Sequence, residues 1–157
     1  MPNEIRPLPV GTAAPDFTLK DHLGKEFKLS ALRGKRVMLS FHPLAWTGVC
    51  ANQAKALDTK KPIFDSLNTI AVGISVDSVP SKKAWADDLE IKDTRMLADF
   101  WPHGAVARLY GVFREEDGLA QRSNFVIDEN GKVVFSKVYD MDKLPDIEEI
   151  IGALKKL

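Results

Sequence analysis

Pro43-Leu44-Ala45-Trp46-Thr47-Gly48-Val49-Cys50 follows an apolar run, Val37 to Phe41, that reads as a strand buried on both faces. Cys50 is the only cysteine in the 157 residues. It cannot form an internal disulfide, supply a Cys-rich zinc site or complete a Cys-x-x-Cys pair. A lone cysteine is either an inert core residue, the commoner case, or a nucleophile. Its surroundings favour the nucleophile. Pro43 stops the strand, and a helix is expected to start near Thr47 or Val49, which puts Cys50 in the first turn. Backbone N–H groups are unpaired there and the helix dipole is positive, so the thiolate, the attacking form of the side chain, is favoured.

The pattern Pro-x-x-x-Thr-x-x-Cys resembles the active-site signature of the peroxiredoxins, the AhpC/TSA family of thiol peroxidases. Pro is about 5% of average composition and Thr is similar, so chance places both around a given Cys roughly once in 400. The resemblance continues along nearly the whole chain. It includes Gly11-Thr12-Ala13-Ala14-Pro15-Asp16-Phe17, Gly34-Lys35-Arg36-Val37-Met38-Leu39-Ser40-Phe41, Leu109-Tyr110-Gly111-Val112 and Arg122-Ser123-Asn124-Phe125-Val126-Ile127-Asp128. Asp99-Phe100-Trp101-Pro102-His103-Gly104 is similar to a segment of the branch related to alkyl hydroperoxide reductase E, which commonly works without a resolving cysteine.

Composition agrees with one domain spanning residues 1–157, with 45% hydrophobic residues to fill a core. Lys plus Arg balances Asp plus Glu at 22 each, which gives no support for nucleic-acid or anionic-membrane binding. The opening residues carry Glu4, Arg6 and three prolines with no apolar core, unlike a signal peptide, and no run reaches a membrane span. One cysteine without an export signal predicts a reducing cytoplasm.

Punctuation along the chain predicts alternating elements. Residues 1–15 are Pro-rich and expected to be extended. Phe17-Leu19 and Glu26-Leu29 flank Asp21-His22-Leu23-Gly24, a small hairpin. Ala51, Ala54, Leu57, Ile63, Phe64 and Leu67 form a helical stripe interrupted at Pro62, and Thr69-Ser75 reads as a second buried strand. Ser81 is the expected N-cap of a helix containing Ala84 and Trp85. Met96-Ala98 reads as a short strand and Gly104-Tyr110 as a short helix. Asn130-Gly131 joins Asn124-Asp128 to Lys132-Tyr139 as a hairpin, and Pro145-Leu154 is an amphipathic last helix. The pattern gives an α/β domain. The resemblance implies a thioredoxin-like fold, three-layer α/β/α with a central mixed sheet and an added N-terminal β-hairpin.

The resemblance also implies roles. Cys50 attacks a peroxide oxygen and becomes a sulfenic acid, which an external thiol resolves: a small thiol or a thioredoxin- or glutaredoxin-like protein. Thr47 donates to the sulfur and accepts from the peroxide O–H, Pro43 shields the thiolate, and Arg122, three residues before Phe125, supplies the cation. No cofactor and no metal is expected; His22, His42 and His103 lack the spacing of a metal site. Two positions depart from the family pattern. Gln53 stands where many members have Glu, and His42 precedes the proline where Tyr is common. His42 sits where it can tune Cys50. A homodimer is expected, with Trp46 and Phe100-Trp101 as interface candidates. The competing reading is a redox sensor, which needs the same thiolate and differs in failing to turn over.

Overall fold

A computed structural model describes residues 5–157; of the Pro-rich opening run, residues 1–4 lie outside it. The predicted first hairpin is β1 (Thr18–Asp21) and β2 (Glu26–Lys28), with a short 3-10 turn at Leu29–Leu32. β3 (Arg36–Phe41) leads to α1 (Gly48–Thr59) and α2 (Lys61–Ser66). The restart between them falls at Lys60, where Pro62 is accommodated in the first turn of α2. β4 (Thr69–Ser75), α3 (Val79–Asp88), β5 (Arg95–Ala98) and α4 (Ala105–Leu109) follow.

Sequence reasoning missed the next element, a two-stranded ribbon of β6 (Phe113–Arg114) and β7 (Leu119–Ala120). Its turn, Glu115-Glu116-Asp117-Gly118, sits between strands of only two residues, too short to show alternation. β8 (Ser123–Ile127), β9 (Val133–Val138) and α5 (Ile147–Lys155) complete the chain. Ser81 is not the N-cap of α3. Ser78 takes that place, its side chain accepting from Ser81 N, and Pro80 fits the first turn.

The seven-stranded sheet has the order β2-β1-β5-β4-β3-β8-β9. β3, β4 and β5 run parallel, whereas β8 pairs antiparallel with β3, so the sheet is mixed as expected. β3 is central, and its residues alternate between two different environments. Val37, Leu39 and Phe41 join an apolar cluster with Val72, Ile74, Leu97, Phe125, Tyr110 and Val106. Met38 packs on the other face with Leu57, Phe64, Ile150, Ile151 and Leu154 from α1, α2 and α5. The next residues of that face are Ser40 and His42, both buried and both polar. Register places Ser40 beside Asn124 of β8 and Gly73 of β4.

Candidate active site

β3 runs out at Phe41 beneath the start of α1, and the connection carries the motif. His42, Pro43 and Ala45 are buried, whereas Leu44, Trp46 and Thr47 are exposed. Ala45 N donates to Asp77 Oδ2 at 2.8 Å, which pins the loop to the end of β4. Trp46 takes φ 69°, a left-handed conformation that a bulky residue adopts only under constraint. Its indole Nε1 donates to Ser81 Oγ at 3.2 Å.

Thr47 is the N-cap residue of α1, with φ −118° and ψ 151°, and Gly48 is the first helical residue. Cys50 is therefore in the first turn, as the spacing predicts. The buried stripe of α1 is Cys50, Gln53, Ala54 and Leu57, the i, i+3, i+4, i+7 pattern of one helix face. One correction concerns Thr47. Its hydroxyl donates to Leu44 O at 2.8 Å rather than to the sulfur, and it makes no capping bond. The carbonyl three residues back is the nearer acceptor once Trp46 turns left-handed.

Arg122, immediately before β8, reaches the same place. It is 2% exposed, and its Nη2 donates to Cys50 Sγ at 3.5 Å. Its remaining contacts fix the guanidinium: Nη1 donates to Gln53 Oε1 at 2.6 Å and Nη2 to Met141 O at 2.9 Å. Gln53 is itself held, its Nε2 donating to Ser40 Oγ at 2.6 Å and to Phe41 O at 3.2 Å. Gln53 thus still anchors the arginine, but as a neutral acceptor. The Ser40 hydroxyl donates to Asn124 Oδ1 at 2.8 Å, and Asn124 Nδ2 reaches Tyr139 Oη, which donates to Glu149 of α5. Among the described residues, Arg122 Nε is a buried donor without a hydrogen-bond partner. Native structures rarely leave such a group unsatisfied.

His42 closes the far side of the motif. Its Nε2 lies 2.8 Å from Lys82 Nζ, and its ring stacks near Trp85 with centroids 5.3 Å apart. Burial, then the charges of Lys82 and Arg122, hold the imidazole well below its ordinary value, so it is neutral and Nε2 is the acceptor. The other two histidines are engaged elsewhere: His22 Nδ1 accepts from Met96 N, and His103 Nε2 pairs with Gly118 O.

The structure brings Cys50 and Arg122 together, buries Pro43 in the connection before α1 and leaves Thr47 exposed. Sequence reasoning missed Ser40, Asn124 and Lys82. A serine inside an otherwise apolar buried strand must find a partner, and that signal identifies Ser40. Lys82 betrays itself only by helical phase, three and four residues before the buried Trp85 and Ala86.

Comparison with known proteins places this geometry. Residues 10–136 match the AhpC/TSA family. Alkyl hydroperoxide reductase E of Mycobacterium tuberculosis is 41% identical over 140 residues, 88% of this chain and 91% of that protein. A protein described as putative peroxiredoxin bcp, from Haemophilus influenzae, is 34% identical over 154 residues, 94% of this chain and 96% of its own length. Among solved structures, peroxidoxin BcpB of M. tuberculosis superposes with a TM-score of 0.82 at 30% identity, covering 94% of this chain and 97% of that one. Enterococcus faecalis AhpC gives 0.87 at 25% identity, covering 94% and 90%.

Proposed function

This chain belongs to the AhpC/TSA family and is a thiol-dependent peroxidase of thioredoxin-like fold, and on that premise we propose that Cys50 is its attacking sulfur, held by Arg122 under Pro43, with Thr47 at the mouth. One observation carries the assignment. Arg122 is a buried cation whose hydrogen-bond partners other than Cys50, Gln53 Oε1 and Met141 O, are neutral. A buried charge without a counter-charge is strongly destabilising. The Cys50 thiolate supplies that counter-charge. The unpartnered Arg122 Nε–H is a spare donor close to the sulfur, suited to an oxygen atom of a bound peroxide.

In the proposed cycle the thiolate attacks one peroxide oxygen and the O–O bond breaks. The departing oxygen takes up one proton and leaves as water or alcohol, and Cys50 becomes a sulfenic acid. The chain has no second cysteine thiol to condense with it. An external thiol displaces water to give a mixed disulfide, and a second thiol restores Cys50. Because the sulfur is 0% exposed, each reactant enters only as the motif loop yields. The working compartment is a reducing one, such as the cytoplasm, where thiols are abundant. No helix among the described residues is long and apolar enough to cross a membrane.

Two copies pair through the exposed Trp46, Phe100 and Trp101. Trp101 is 82% exposed and, with Phe100, borders a groove of about 330 Å³ over Leu19 and Val79. An apolar patch of this kind marks an interaction surface. Sedimentation at micromolar concentration is expected to show a dimer; a 17.4 kDa species alone counts against it.

Stopped flow tests the chemistry through tryptophan fluorescence, with Trp46 four residues from Cys50. Mass spectrometry after one equivalent of peroxide is expected to show one added oxygen, trapped by a sulfenic-acid reagent. A small thiol added next gives a mixed disulfide on Cys50. A quantitative covalent dimer instead means that Cys50 pairs across subunits and external resolution is wrong.

A further inference from the structure

Arg122 is not the only buried cation in this part of the molecule. Lys82 is 0% exposed, on the inner face of α3. Lysines are almost never fully buried without a partner. Its Nζ lies 2.8 Å from His42 Nε2 and donates to Ser75 Oγ at 2.8 Å. The Ser75 hydroxyl in turn donates to Asp77 Oδ2 at 2.6 Å, so the nearest carboxylate is one hydroxyl removed. Trp85 offers its ring face 5.4 Å from Nζ. Trp85 also packs in one cluster with Cys50, Ala45, Ala54 and Met96. Gly73 opens the space for this arrangement: a Cβ there would meet Met96 Cε at 2.8 Å and His42 Cε1 at 3.4 Å. Building a lysine into this cavity requires a glycine, a histidine and a serine at matched positions on β3 and β4.

We propose that Lys82, seated by His42 and Ser75, is a positioning residue for the peroxide step: its charge joins that of Arg122 in holding Cys50 as the attacking anion. The proposal rests on the reading of Cys50 as the reactive sulfur. Burial pushes Lys82 down to about 7, and the negative charges of Asp77 and Cys50 pull it back up. The interaction is reciprocal. Coulombic attraction between a cation and a thiolate acts on both partners. The other charges in reach come from neighbouring elements. Arg122 acts on His42 from beside β8, His22 after β1 feels Lys82, and Lys83 and Asp87 lie on α3 itself. Arg122 touches the sulfur directly, and Lys82 is joined to the same buried cluster through the Trp85 ring. Formation of the neutral sulfenic acid removes its counter-charge.

The test is the pH profile of the peroxide step, measured by stopped flow under single turnover. Lys82→Met with His42→Phe replaces the couple by apolar side chains, a swap that buried charged groups tolerate better than loss of one partner. The expected result is a folded protein whose rate midpoint moves up by about 1 pH unit, the size of shift one nearby charge produces. Its neutral-pH rate falls about 10-fold, the equivalent of that shift, and the wild-type rate returns at higher pH. Asp77→Asn leaves the core composition untouched, removes the charge that favours charged Lys82, and is expected to shift the midpoint the same way by less. A profile that superposes on wild type, or a rate lowered equally at every pH, overturns the proposal, since a purely structural lysine gives one of these. Peroxide reduction surviving in Cys50→Ser overturns the reading of Cys50 and the proposal with it.

Discussion

The two faces of β3 and β8 are built from the same strands and behave as different materials. One face carries Val37, Leu39, Phe41, Phe125 and Ile127, closed over by Tyr110. Phe41, Tyr110 and Phe125 pack edge to face and tilted, with centroids 5.3–5.9 Å apart. The other face starts as apolar as the first, at Met38 and Val126, and turns polar toward the strand end, at Ser40, Asn124 and His42. Every polar group there is tied to a neighbour until the chain of bonds reaches Arg122 and Cys50. Period-two alternation lets one strand hold a rigid apolar backing and a reactive site a pleat apart. The apolar face sets stability; the polar face sets reactivity.

Substitutions should separate the two. Cys50→Ser is expected to abolish peroxide reduction while unfolding as wild type, as read by peroxide consumption beside a denaturant melt; retained turnover would remove the sulfur from the mechanism. Phe125→Ala is expected to lose about 3–5 kcal/mol of stability by emptying the backing face. Its peroxide rate per folded molecule should stay near wild type, and a collapsed rate would show that the two faces are coupled. Arg122→Met should do the reverse. The peroxide step slows about 10²–10³-fold, as for loss of one preorganised donor, with a comparatively small change in denaturant midpoint.

Ser40→Ala tests the polar face itself, because it removes the donor to Asn124 Oδ1 and one of the two acceptors of Gln53 Nε2. A loss of about 1–3 kcal/mol is expected, with a milder slowing than Arg122→Met gives. The smallest effect is in pH. The unfolded chain keeps the Lys82 proton up to the ordinary lysine value of 10.5, whereas the folded state releases it at about 7. Between these the unfolded state binds more protons, so wild-type stability should rise with pH relative to Lys82→Met/His42→Phe. Parallel stability curves would show that the lysine does not titrate as a buried group.

Most of this was legible in the sequence where residues repeat a rule. The apolar run of β3, the Asn-Gly turn before β9 and the Ile147-Ile150-Ile151-Leu154 stripe of α5 each announce their element by period or turn chemistry. The juxtaposition of Cys50 and Arg122, the proposed nucleophile and its cation, was legible through the motif and the Phe125 context. What failed was local bonding choice. Ser78 and Ser81 are both acceptable caps, and Pro80 decides between them, because it fits the first turn that Ser78 opens. Thr47 looked aimed at the sulfur because spacing fixes a face but not a rotamer. Lys82 drew no reading at all, because two adjacent lysines look alike in sequence and only helix phase buries the first and exposes the second.

Cys50 and Arg122 stand 72 residues apart in sequence and meet only because β8 lies down antiparallel along β3, with Ser123 opposite Phe41. During synthesis the cysteine emerges long before the arginine. The parallel pairing of β3 with β4 can form first, but that partial sheet still lacks the guanidinium and the Met141 carbonyl that steadies it. Until the last hairpin arrives the chain carries a thiol without its counter-charge. On the proposed assignment, reactivity toward peroxide is acquired only at completion of folding, and the nascent chain presents an ordinary thiol. A chain ending before Arg122 should meet peroxide no faster than an unfolded cysteine peptide does.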